Sequence, residues 1–122
     1  MNMATRRAAH GLGLRGEKRA VLLLRLKGYT ILARRFSTYV GEVDIVALKR
    51  RCLVFVEVKA RPTLDLAAES IRHSQRARIA RGAEAYISRH PHYVGYDMRF
   101  DAVLVAPGRL PRHLKAAFDA GR

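Results

Sequence analysis

The chain has 122 residues, enough for one domain, and 49% are hydrophobic and 28% charged. That composition excludes disordered and low-complexity classes, the short apolar runs exclude a bilayer span, and the single cysteine, Cys52, excludes an internal disulfide. Twenty-four Lys and Arg against ten Asp and Glu give +14, a field that favours polyanions and above all nucleic acid.

Met1–Leu14 carries Arg, Ala and Gly without a stable period and reads as a flexible basic N-terminal arm. Residues 15–122 read as a single domain. The arm lacks the apolar stretch of a secretory leader, and a lone cysteine suits a reducing compartment, so a cytoplasmic protein is expected. From Gly16 to Lys27 the apolar set Ala20, Val21, Leu23, Leu24 and Leu26 predicts an amphipathic helix, closed by Gly28 as its cap. Tyr29–Arg35 reads as a strand and Phe36–Gly41 as a loop. Glu42–Leu48 and Leu53–Lys59 are β-rich runs on either side of Lys49-Arg50-Arg51-Cys52, a hairpin.

Pro62 ends that strand. Asp65–Arg89 then reads as one long helix with the apolar stripe Ala68, Ile71, Ile79, Ala83, Tyr86 and Ile87. Asp97–Val105 alternates as a fourth strand, and His113–Ala120 reads as a short terminal helix. The expected order is αβββαβα, an α/β domain with a mixed sheet flanked by helices.

Charge is unevenly spread along these elements. Residues 41–70 hold five of the ten acids and five bases, whereas residues 1–40 hold nine bases and one acid. Three of those five acids, Glu42, Asp44 and Glu57, fall in the hairpin, and its register follows from parity. Glu42, Asp44, Val46 and Leu48 share one face of their strand; Leu53, Phe55, Glu57 and Lys59 share one face of the next. Pairing Leu48 with Leu53, around a loop of two or four residues, sets Asp44 opposite Glu57 and Glu42 opposite Lys59. Their Cβ atoms are then about 4.5–5.5 Å apart.

Two opposed carboxylates destabilise a sheet unless one is protonated or a cation sits between them. A hard divalent ion binds through one or two carboxylates plus substrate phosphate, and Lys59, two residues beyond Glu57, would orient a water or stabilise the transition state. The competing reading is an amphipathic hairpin with a Glu42–Lys59 surface ion pair, worth about 0–1 kcal/mol.

Gly16-Glu17, Gly28-Tyr29, Gly41-Glu42-Val43-Asp44, Val54–Arg61, Arg99-Phe100-Asp101 and Ala117-Phe118 together resemble the YraN family of small bacterial proteins. The resemblance covers about residues 14–119. That family is similar to the PD-(D/E)xK nucleases, including archaeal Holliday-junction resolvases, and the resemblance implies a restriction-endonuclease-like fold. It further implies Asp44 and Glu57 as ligands of Mg²⁺ or Mn²⁺, Lys59 as the catalytic lysine and Glu17 as an extra carboxylate from the first helix. Arg61 and Gln75 are expected to contact phosphate, beside the accessory Glu42. A homodimer acting on DNA is implied on the same ground.

One position departs from the family pattern. Relatives usually carry Lys in the second helix where this chain has Gln75, four residues from both Ile71 and Ile79 and so on the inward stripe. There it either reaches the metal site or is a buried Gln satisfied by backbone. Other signals are weak. His10, His73, His90, His92 and His113 lack metal-ligand spacing, Cys52 has no His at motif distance, and Gly11-x-Gly13 precedes no strand–helix unit. The leading expectation is a metal-dependent nuclease acting on DNA, including branched or structured DNA. The alternatives are a nucleic-acid-binding module with a retained acidic site and, more distantly, a basic scaffold.

Overall fold

The computed structural model describes the backbone of residues 3–119 and the side chains of residues 15–119. Helix α1 (Met3–Leu26) buries Ala20, Val21 and Leu24 and ends as its sequence predicts. Gly28 takes a left-handed φ of +91°, its N–H donates to the Arg25 carbonyl at 3.0 Å, and the Tyr29 N–H donates to the Leu24 carbonyl at 2.9 Å. Those two bonds satisfy carbonyls the helix end would otherwise orphan. The helix starts well before Gly16, so the backbone of residues 3–14 is regular where no period was expected. Met1 and Asn2 of the expected arm lie outside the described residues.

Among the described residues five strands follow: β1 (Thr30–Ser37), β2 (Glu42–Lys49), β3 (Cys52–Ala60), β4 (Asp97–Val105) and β5 (Arg112–Leu114). They lie side by side in chain order, antiparallel except for the parallel pair β3–β4. The hairpin register is the predicted one, Leu48 against Leu53, closed by the two-residue turn Arg50-Arg51. Leu53, Val54, Phe55 and Val56 have no exposed surface, because β3 is covered on both sides. Ile45, Ala47, Val54, Val56, Val103 and Val105 meet α1, while Val46, Leu53 and Phe55 meet helix α3 (Arg76–Arg89) through Ile79, Ala83 and Tyr86. Each Val, Leu, Ile or Phe among them, fully buried, contributes about 1.5–3 kcal/mol.

Two predicted elements are corrected. The long helix Asp65–Arg89 is two helices, α2 (Leu64–Arg72) and α3, with His73, Ser74 and Gln75 between them. The Ser70 hydroxyl favours the break by donating to the Ala67 carbonyl at 2.7 Å, and in the connection the Arg76 N–H turns back to the Ser74 carbonyl at 3.0 Å. The break lets α2 pack Ala67 and Ile71 on Ala102 and Leu104 of β4 while α3 crosses β2. On α2 the buried alanine is Ala67, and Ala68 is exposed. Gln75, expected on an inward stripe, is exposed at the N-cap of α3.

The terminal helix expected at His113–Ala120 is instead β5 followed by turns among the described residues. Leu114 pairs with Ala102, and the open edge of β4 outweighs the local helical preference of this segment.

One close approach fixes where β2 begins. A Cβ at Gly41 would lie 2.2 Å from the Arg78 carbonyl oxygen, and one at Gly82 would lie 2.8 Å from the Glu42 nitrogen. Backbone of β2 and α3 therefore touch directly at a pair of glycines, immediately before Glu42 and Asp44.

Candidate active site

The last paired residues of the hairpin at its open end are Ile45 and Val56. Beyond them the strands part, and the side chain of Asp44 replaces the ladder. Its Oδ2 accepts the Val58 N–H at 2.7 Å, a bond that the carbonyl opposite would otherwise take. Glu57 stands beside this carboxylate, and Lys59 Nζ lies 3.2 Å from Glu57 Oε1. The Glu57 and Lys59 side chains are only 15% and 18% exposed, so the pair is withdrawn from most of its water.

That setting explains the protonation of the acids. Burial pushes Asp44 above the usual carboxylate range, against the Val58 hydrogen bond that favours its ionised form. Burial and then the neighbouring Asp44 charge push Glu57 up to about 7, with Lys59 acting in the opposite sense. The cluster is short of positive charge at neutral pH.

The other candidates fall around this centre differently. Glu17 is buried and accepts from Arg34 Nε at 2.9 Å and Arg35 Nε at 2.5 Å. Burial raises its pKa, but the two arginines outweigh that and hold it below its ordinary value. The structure does not bring Glu17 to the Asp44–Glu57 pair, and among the described residues no group of three or more His, Cys, Asp and Glu could hold a metal ion. Glu42 does not face Lys59 as parity predicts. The β2–β3 ladder stops at Ile45, before it reaches Glu42, which pairs with Ser37 on the other edge of β2 and lies 3.9 Å from Arg78 Nη2 on α3. Arg61 donates to the Ala60 carbonyl at 2.8 Å, just past the end of β3. Gln75 contributes nothing to the pair from its exposed place between the helices.

A family profile described as "Uncharacterised protein family UPF0102" matches residues 16–105. A UPF0102 protein of Methylorubrum extorquens is 53% identical over 116 residues, covering 95% of this chain and 91% of its own. One from Nitrobacter winogradskyi is 54% identical over 113 residues, covering 93% and 96%. A third, from Parvibaculum lavamentivorans, is 51% identical over 117 residues, covering 96% and 88%. The chain belongs to UPF0102.

Membership agrees with the YraN-like resemblance of its motifs, and the UPF0102 match spans every candidate site residue from Glu17 to Gln75. It also spans a second buried acid that the sequence reading gave no role. Asp101 of β4 has no exposed surface. Arg99 grips it through Nε and Nη2 at 2.7 and 2.8 Å, His113 Nε2 lies at 2.7 Å, and the Ala116 N–H donates at 2.9 Å. The carboxylate can only accept, so His113 carries its proton on Nε2 and its Nδ1 accepts from Lys27 Nζ at 2.6 Å. Burial raises the Asp101 pKa, but the bonds from His113, Arg99 and Ala116 reverse the effect and hold it at about 2. The signal available in sequence was the Arg99-Phe100-Asp101 spacing, which sets Arg99 and Asp101 on one strand face.

Among the described residues of this UPF0102 chain no helix is long and apolar enough to cross a membrane.

Proposed function

We propose that this UPF0102 protein is a divalent-metal-dependent endonuclease that hydrolyses DNA phosphodiesters, on a sheet of restriction-endonuclease-like type. Branched or otherwise structured DNA is the proposed substrate class. The observation that carries the reading is the Asp44–Glu57–Lys59 cluster at the parting of β2 and β3. Two desolvated carboxylates with raised pKa values fit Mg²⁺ or Mn²⁺, which needs only one or two carboxylates beside water and substrate phosphate. Asp44 and Glu57 would hold the ion. When bound, it supplies acidification of a water and charge compensation on a phosphoryl oxygen.

The chain's own groups do the rest. Lys59, held against Glu57, donates to the attacking water or a nonbridging oxygen as negative charge develops. Arg61 takes a neighbouring phosphate. Arg34 of β1, opposite Ile45, and Arg35 are kept in place by Glu17, beside the start of β2 where α3 offers Arg78 and Arg81. These arginines suit the backbone of a bound duplex.

The test is cleavage of linear, flapped and four-way DNAs with Mg²⁺ or Mn²⁺ against a chelator control. Wild type should cut at least one class, and Asp44→Asn should abolish cutting while binding DNA equally or more tightly. A second reading, a binding module that does not cut, draws on the engagement of Glu17 by two arginines. Intact wild-type DNA with every ion, together with tight salt-sensitive binding, would establish it instead.

A further inference from the structure

The opposite end of the same hairpin carries a second concentration of charge. An open cleft of about 470 Å³ lies between the start of β1, the β2–β3 turn, the start of β4 and the segment after β5. Its charged lining is Lys49, Arg50, Arg51, Arg99 and Lys115 against Asp97. Asp101 compensates Arg99, but among the described residues Lys49, Arg50, Arg51 and Lys115 make no ion pair. Five residues of β3 separate this end from Glu57, about 17 Å at strand rise.

Several of these cations are held in place rather than freely solvated. Lys49 Nζ donates to the Lys27 carbonyl at 2.8 Å and sits 5.2 Å from the centre of the Tyr29 ring. The Arg51 guanidinium lies 4.2 Å above the ring of Tyr96. Arg99 is fixed by Asp101 and by the Tyr29 hydroxyl, which accepts at 2.7 Å. Arg50 occupies the first turn position with φ +57°, a left-handed backbone that hairpin turns usually give to Gly or Asn. Packing does not ask for an arginine there, because Arg50 is exposed. The field of the cluster reaches inward: burial, then Lys115 and Lys49, pull the Lys27 ammonium below its ordinary pKa.

We propose that this cleft is an anion site for a phosphate ester, separate from the carboxylate pair. Pre-positioned cations converging on one concavity lose little freedom on binding, and a phosphate oxygen set accepts from several of them at once. The phosphate belongs either to nucleic-acid backbone or to a free phosphorylated molecule. The inference does not depend on the nuclease reading, since it requires neither metal nor cleavage.

Arg50→Gly and Lys115→Gln test it together, because both side chains are exposed and glycine relieves the left-handed turn. Lys49 and Arg99 are left alone as parts of the fold. In chelator, pyrophosphate titrated into wild type should shift the amide resonances of Lys49–Cys52 and Lys115, and the double variant should bind at least about 5-fold more weakly. Asp44→Asn should bind pyrophosphate as wild type does, whatever its effect on cutting. If the site takes backbone, pyrophosphate competes with a labelled duplex and the variant's log–log salt slope for DNA falls by about 2. If it takes a free phosphorylated molecule, the variant's duplex affinity is unchanged while its pyrophosphate binding is weakened. Equal pyrophosphate affinity in variant and wild type, or shifts confined to the carboxylate end, overturns the proposal.

Discussion

Asp101 and the Asp44–Glu57 pair sit in one sheet, yet their surroundings are opposite. Asp101 has more partners than it needs: a bidentate guanidinium, an imidazole N–H and a backbone N–H saturate a carboxylate with no exposed surface. Asp44 and Glu57 share one backbone N–H and one ammonium between them. The result is one acid held at about 2 and another raised to about 7. A saturated carboxylate ties elements together and has no capacity left for a ligand. An undersupplied pair weakens the apo fold and keeps its oxygens available for a cation.

Stability separates the two most sharply. Asp101→Ala leaves the buried His113 N–H without an acceptor, unpairs the half-buried Arg99 and releases the segment after β5, so it should cost about 3 kcal/mol in urea unfolding. Asp44→Asn keeps an oxygen for the Val58 N–H and removes repulsion, so stability should be unchanged or raised. Equal losses from the two substitutions would erase the distinction.

Lys59→Ala sharpens it from the side of chemistry. Single-turnover cleavage should slow by about 10²-fold, or about 2.7 kcal/mol of transition-state stabilisation, with DNA affinity little changed. Stability should fall as well, by more than the ~1 kcal/mol of an exposed ion pair, because the little-exposed Glu57 carboxylate loses its ammonium. Unaltered cleavage would remove Lys59 from the mechanism.

The two acids also titrate in separate windows. Glu57 is raised in the folded state, so the fold holds the extra proton and loses stability as pH rises from 4.5 through about 7. A loss on the order of 2 kcal/mol is expected between pH 5 and 8, and Glu57→Gln should abolish it. Asp101 is depressed, so its contribution is complete above 3.8 and disappears as pH falls through about 2. Urea midpoints across pH resolve both. A wild-type midpoint that rises from pH 5 to 8 contradicts the first assignment.

The smallest effect belongs to Gln75. Exposed at the cap of α3 and away from both acids, it should accept Gln75→Lys with less than about 0.5 kcal/mol change in stability. DNA affinity should rise only slightly, by an amount that vanishes at high salt. A large gain in cleavage rate would return this position to the site.

The parts of this arrangement legible in sequence are those governed by local rules. Gly28 closes its helix because only the chain's own carbonyls are involved, and the hairpin register follows from strand alternation and an even turn. The same parity failed at Glu42, because a side chain, Asp44, ended the ladder three residues early. The break between α2 and α3 depends on which strands each helix must cover, and apolar spacing across Ile71 and Ile79 passes through it unmarked. Strand β5 and the grip on Asp101 depend on His113 and Ala116, whose relation to β4 exists only once the edge is paired. The acids of the candidate site were found because they cluster in the chain. The arginines that engage Glu17 were missed because the first strand gives no sign of which way they turn.

The Val58 N–H has a use of its own. It donates to the oxygen of Asp44 at 2.7 Å, where an ordinary strand would offer a carbonyl of constant charge. The strength of that bond therefore follows the charge on Asp44: strongest to a carboxylate, weaker once the acid is protonated or its electron density is drawn toward a cation. The chain thus contains a native spectroscopic indicator. The chemical shift and exchange rate of one backbone proton register the electrical state of the pair, with no label attached and no reaction required.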